Sequence, residues 1–247
     1  MTNLRRLTFG WLPVLGGLAL AALLVTPLGA ADPIRVVLLV DSSTNMSGML
    51  TNFRAGLTAF IEAVPDDVEI AFISTGGQLR VRVPPTTDRQ KLLDAAGRFS
   101  SDGGANSLLD TLLESDERFL RSRPDRRPTF VVLTTDQPAL GGPPIERYNN
   151  FMKDFVQRRG RAHGVVIRSS QIGLASEILG NLTSNTDGLY EVLAISNSLP
   201  TRMRAIAAEI ANSFVAMEQT PLALDQLFGT TPHAIRPLPP PFSGLSV

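Results

Sequence analysis

The stretch Asp41-Ser42-Ser43-Thr44-Asn45-Met46-Ser47 packs one carboxylate, three hydroxyls close to it and an Asn amide into a single short segment. Such an oxygen-rich set suits a hard divalent cation, which takes carboxylate, hydroxyl and carbonyl ligands in preference to nitrogen or sulfur. Two further segments offer oxygen. Thr134-Thr135-Asp136 brings a second carboxylate, and Asp102-Gly103-Gly104-Ala105-Asn106-Ser107 leads into an apolar run that begins at Leu108. A plainer use for Asp41 and Asp136 is to cap a helix or close an Asx-turn after a strand, which Asp does routinely.

The elements around these segments decide whether they meet. Ile34 to Val40 is a nearly continuous apolar run that stops at Asp41, as expected of a strand buried on both faces of a parallel sheet. Val68–Ile73, Phe130–Leu133 and Gly164–Ile167 have the same character. Between them the apolar residues take helical spacing. Leu50, Phe53, Leu57, Phe60, Ile61 and Val64 form one stripe, and further helices are led by Leu108, Ile145, Ile172 and Met203. Strands alternating with amphipathic helices predict an α/β domain: a doubly wound, Rossmann-like and mostly parallel sheet with helices on both faces. Gly76-Gly77, between Val68–Ser74 and Gln78–Val83, reads as a hairpin turn and predicts one antiparallel edge strand. In such a sheet ligands bind beyond the carboxyl ends of the strands, where Asp41 and Asp136 both fall.

On these residues the chain resembles the von Willebrand factor type A (VWA) domain family, over roughly residues 34 to 215. The family's metal-ion-dependent adhesion site is written Asp-x-Ser-x-Ser in a first loop, a Thr in a second and an Asp in a third. Asp41 and Ser43 match the first two positions, and Thr135-Asp136 after Phe130-Val131-Val132-Leu133 resembles the third loop. The second Ser is replaced by Asn45, and the Thr position falls on Asn106 or, with a one-residue shift, on Ser107. The resemblance implies a divalent cation, Mg²⁺ first and Mn²⁺ or Ca²⁺ as alternatives, held by Asp41, Ser43, Asn45, Asp136 and Asn106 or Ser107. It also implies an open coordination position completed by an acidic residue of a partner protein. The function expected is that of a protein-binding module and not an enzyme. Two alternatives stand beside it: a VWA-like scaffold that has lost its metal and binds through helix faces or its tail, and a metal-dependent phosphohydrolase.

Other chemistries fare worse. His163 and His233 are the only histidines, and neither accompanies the Gly-x-Ser-x-Gly elbow of a serine hydrolase. His163 reads as an ordinary polar residue at a strand start. No Gly-rich loop ending in Lys-Ser or Lys-Thr is present to hold nucleotide phosphates. A phosphohydrolase with a nucleophilic Asp41 would want a second acid two residues on, where Ser43 stands. Arg118, Arg121, Arg123, Arg126 and Arg127 form one basic group, interspersed with acids, and Arg158, Arg159 and Arg161 another. Mixed charge at helix ends reads first as a solvated connection, with an anion-binding patch as the lesser alternative.

Composition sets the outer bounds. The chain has 247 residues, 43% hydrophobic and 19% charged, which suits one or two globular domains. Lys plus Arg and Asp plus Glu balance at 23 each, so no global field draws in nucleic acid. With no Cys there is no disulfide framework, thiolate metal site or thiol nucleophile. Arg5-Arg6, the apolar run Leu7–Val25 and the small residues Gly29-Ala30-Ala31 read as a secretory signal peptide over residues 1–31, which predicts a periplasmic or secreted protein. Left uncleaved, the segment would be a membrane anchor and the protein's only membrane contact. The expected organisation is then a VWA-like domain over 32–218 and a Pro-rich extended tail over 219–247.

Overall fold

The computed structural model describes residues 33–136, 145–168 and 173–219. Residues 1–31, expected as a signal peptide, and the expected tail from residue 220 onward lie outside the described residues. Six strands form one sheet: β1 (Ile34–Val40), β2 (Glu69–Ser74), β3 (Arg80–Thr86), β4 (Arg127–Thr135), β5 (Arg161–Ile167) and β6 (Tyr190–Leu193). Their order is β3-β2-β1-β4-β5-β6. Every pairing is parallel except β2 with β3, which is antiparallel with irregular register and follows the Gly76-Gly77 turn as expected. Gly77 carries φ +72°, a left-handed conformation that glycine adopts without strain.

The helices are α1 (Leu50–Ala63), α2 (Arg89–Gly97), α3 (Leu108–Ser115), α4 (Ile145–Gln157), α5 (Leu174–Asn185) and α6 (Leu199–Gln219). Alternation along β1 sorts the core into two layers. Val36, Leu38 and Val40 pack with Phe53 and Leu57 of α1, Leu92 of α2 and Leu199 and Met203 of α6. Val37 and Leu39 face the other way, onto Leu112 of α3, Phe155 of α4 and Ile178 of α5. This is the doubly wound arrangement expected of the sequence. No helix among the described residues is long and apolar enough to cross a membrane.

Two elements were not foreseen. α2 is mostly polar, burying only Leu92 and Ala96, and its start is marked by Asp88, whose carboxylate accepts from the Lys91 amide at 3.1 Å. β6 is four residues long and only partly buried, so it has neither the length nor the apolar content of the other parallel strands. His163 also differs from expectation. It is the third residue of β5, wholly buried, with Nδ1 accepting from the Leu189 amide at 3.1 Å.

Candidate metal centre

The first loop leaves β1 hydrogen-bonded to both neighbouring strands. The Asp41 amide donates to Leu133 O of β4 at 2.9 Å, and the Thr75 amide beyond β2 donates to Val40 O at 3.1 Å. Asp41 is 1% exposed. Its Oδ1 accepts from the Ser43 amide at 2.8 Å, closing an Asx-turn, and its Oδ2 accepts from the Thr135 amide at 3.0 Å and from the Thr135 hydroxyl. The carboxylate therefore bridges the ends of β1 and β4.

Asp136, 3% exposed, follows directly. Its Oδ1 accepts from the Ser176 amide at 3.2 Å and its Oδ2 from the Ser176 hydroxyl at 2.7 Å, which caps the first turn of α5. Asn45 stands exposed on the 3-10 turn Thr44–Met49 that precedes α1. Asn45, Thr135 and Asp136 share the wall of a cleft of about 490 Å³ with Arg168, Ile195 and Asn197. Neither Asp41 nor Asp136 makes an ion pair with a basic side chain among the described residues.

The second loop is engaged elsewhere. Asn106 pairs with Gly76 in an isolated antiparallel bridge; its Oδ1 accepts from the Thr75 hydroxyl at 2.6 Å and its Nδ2 donates to Thr134 Oγ1 at 2.6 Å. The Ser107 hydroxyl donates to Thr75 O at 2.7 Å. Asn106 thus ties the ends of β2 and β4 together.

The acid of that loop, Asp102, is engaged as well. Its carboxylate accepts from the hydroxyls of Ser42 at 2.7 Å and Ser74 at 2.9 Å, and pairs with Arg82 and, at 2.7 Å, with Arg80. Burial raises its pKa, but the two hydroxyls and two guanidiniums together carry it below the usual carboxylate range. Backbone bonds complete the clasp: the Asp102 amide donates to Ser42 O at 2.7 Å, and the Ser101 hydroxyl donates to Ser42 O at 3.0 Å and Ser43 O at 3.1 Å. Asp102 therefore locks the second loop onto the residue between Asp41 and Ser43. The sequence signal for this was Arg80 and Arg82, two apart on one strand and hence on one face.

No three acidic or histidine side chains come together among the described residues. A cation here would rest on the Asp41–Asp136 pair, with hydroxyl and amide oxygens completing its shell.

Residues 36–141 match the family described as von Willebrand factor type A domain. Over that span the chain resembles the VWA family. No match to the sequence is found among curated proteins. Among solved structures, a von Willebrand factor type A protein from Catenulispora acidiphila superposes with TM-score 0.57 at 16% identity, over 72% of this chain and 43% of that one. This chain therefore corresponds to less than half the length of that relative. BatB from Bacteroides thetaiotaomicron gives TM-score 0.55 at 13% identity, over 72% of this chain and 99% of that one. Proximal thread matrix protein 1 of the mussel byssus, with zinc in its metal-ion-dependent adhesion site, gives 0.57 at 11% identity, over 76% and 46%. These likenesses show the VWA fold. VWA domains are protein-interaction modules, generally without enzymatic activity, and often bind a divalent cation at that site.

Proposed function

We propose that this VWA domain is an extracytoplasmic protein-binding module that engages an acidic residue of a partner protein through a divalent cation. The cation, Mg²⁺ first and Mn²⁺ or Ca²⁺ as alternatives, is held by Asp41, Ser43, Asn45 and Asp136 at the C-terminal edge of the sheet. One observation carries the reading: two carboxylates, 1% and 3% exposed, stand on either side of Thr135 without a basic partner among the described residues. Like charges buried without compensation are costly, and a divalent cation relieves the cost for both. A carboxylate has about four acceptor sites. The hydrogen bonds described take three of these on Asp41 and two on Asp136, so both retain capacity for a metal. The extracytoplasmic placement rests on the signal-like residues 1–31.

A second reading has its own support. Both ends of the Asn106 amide are spent on Thr75 and Thr134, and the Ser107 hydroxyl on Thr75 O, so the second loop offers little to a cation. In that case the domain is a metal-free scaffold whose binding is indifferent to chelators. Thermal unfolding of the chain under Mg²⁺, Mn²⁺ and Ca²⁺, with Asp41→Ala alongside, separates the two. A ligand that binds only the native state stabilises it by about 2.7 kcal/mol at a hundred times its Kd. The metal reading expects a saturable rise in melting temperature that Asp41→Ala abolishes; a flat response at millimolar metal gives the scaffold.

A further inference from the structure

Three strands end side by side at the cleft that holds Asp136, and their exits differ in chemistry. The register pairs Thr135 of β4 with Ile167 of β5, and Ile167 with Leu193 of β6. The residues that follow, Asp136, Arg168 and Ala194, therefore stand in a row across the sheet, about 4.8 Å apart from strand to strand. Backbone bonds fix the row. The Asp136 amide donates to Ile167 O at 2.9 Å, and the Arg168 amide donates to Leu193 O at 2.8 Å. An acid, a base and an apolar exit that continues to Ile195 thus line one cleft.

Arg168 does not spend its charge on its neighbour. Asp136 turns both oxygens to Ser176, and the Arg168 side chain takes no ion pair or hydrogen bond among the described residues. The adjoining segments 137–144 and 169–172 contain no Asp or Glu to claim it. With the proposed divalent cation in place, the charges of Asp41 and Asp136 are cancelled, and the exposed Arg168 guanidinium leaves the cleft with one positive charge. One carboxylate from outside neutralises it, and a guanidinium fork matches the paired oxygens of that carboxylate.

The apolar exit adds a second feature. Leu189, Val192 and Ile195 are the exposed large apolar side chains of the described residues, and all three lie along β6 and its two ends. Ile195, 64% accessible, is the one that reaches the cleft. The chain just beyond it is tied to α1, where Asn52 Nδ2 donates to Ser196 Oγ at 2.7 Å and to Asn197 Oδ1 at 3.1 Å. Ile195 is thereby anchored beside the charged part of the cleft.

We propose that Arg168 and Ile195 select the partner segment: an extended stretch of protein with an acidic residue and, two positions away, an aliphatic one. This rests on the reading of the cleft as the docking point of an acidic residue. Arg168 takes the carboxylate oxygen that the cation leaves free, and Ile195 is covered by the aliphatic side chain. Side chains two apart in an extended chain share a face and lie about 6.6 Å apart, and their own reach covers the remainder of the roughly 10 Å from Asp136 to the exit of β6.

The test uses the full chain and an N-acetylated, C-amidated peptide, Gly-Ser-Glu-Ser-Leu-Ser-Gly, titrated by calorimetry in Mg²⁺ and in EDTA. The Glu carries its only charge. Arg168→Gln, at an exposed position, is expected to weaken binding about tenfold, the equivalent of one lost charge-assisted hydrogen bond. Its melting temperature in EDTA, and the rise with Mg²⁺, are expected to match the parent's. Ile195→Ser is expected to weaken binding about fivefold, which roughly 40 Å² of apolar burial supplies, and to erase the parent's preference over a peptide with Ser in place of Leu. A parent that does not bind the peptide, or either variant binding it as the parent does, would overturn the proposal. A melting temperature indifferent to Mg²⁺, with peptide binding indifferent to EDTA, would remove the cation alone; losses in both variants under those conditions would still uphold selection by Arg168 and Ile195.

Discussion

Residue 76 shows how little freedom the first loop has. A Cβ built there would lie 2.6 Å from the Ser42 carbonyl oxygen and 2.7 Å from its hydroxyl, closer than any relaxed contact. Ser42 cannot retreat, because Asp102 and Ser101 hold it from the other side. Gly76→Ala is therefore expected to cost about 1–3 kcal/mol, as overpacking does, and to displace Asp41 enough to remove any response to cation. Urea unfolding with and without Mg²⁺ reads both effects together. Two titratable groups set the acid limit in different windows. Burial, reinforced by the charges of Arg161 and Arg127, lowers the His163 pKa from 6.5 to about 3, so the folded protein holds it neutral. A depressed base stabilises fully above its unfolded pKa, and that contribution is lost as pH falls from about 6.5 towards 3. Asp102, an acid with a lowered pKa, contributes above its unfolded value of 3.8 and loses the contribution only below it. Stability measured from pH 7 to 4.5 is therefore expected to decline in the parent and to flatten in His163→Asn, whose amide oxygen can accept from the Leu189 amide. A slope that survives the substitution would assign the loss to other groups.

Elements with strong periodicity were readable from the chain, and weak ones were not. β1 was legible to the residue, because a buried parallel strand must be apolar on both faces and Asp41 ends it. α1 began where expected, at Leu50, because one apolar stripe had to face the sheet. α2 escaped because its packing needs only Leu92 and Ala96, too few to make a stripe, and β6 because an edge strand tolerates exposed Val192, 42% accessible. The candidate site divides in the same way. The places of Asp41 and Asp136 at strand ends were legible because each directly follows a strand, while the Asp102 clasp depends on which strands lie side by side. Packing between elements brings its own constraint at Gly56 of α1, where a Cβ would lie 3.2 Å from Leu199 Cβ and 3.4 Å from Met203 Cγ of α6. The absence of a side chain lets the two helices approach. Gly56→Leu gains helix propensity but must push α6 off the sheet, and is expected to lose about 1–3 kcal/mol net. The check is a fall in the urea midpoint at constant slope, since the surface exposed on unfolding stays the same.

At the scale of the whole molecule the sheet separates two electrostatic environments. β5 runs seven residues from Arg161, two residues after Arg159, to Ile167, on the wall of the cleft that holds Asp136. Its six steps of about 3.3 Å span roughly 20 Å, about twice the ordinary screening length of about 10 Å. Sites so far apart without shared partners are expected to act additively, within about 0.5 kcal/mol. The two ends of the sheet should therefore be thermodynamically independent. Asp41→Asn should abolish the cation-dependent rise in melting temperature, and Arg159→Gln, at an exposed position beyond the opposite end, should leave that rise unchanged. In the double variant the two changes in stability should close to additivity. The decisive measurement is the urea midpoint of the four chains with and without saturating Mg²⁺. A departure from additivity beyond about 0.5 kcal/mol would show that the sheet transmits strain between its ends, and the picture of two insulated poles would have to give way to one of a linked pair.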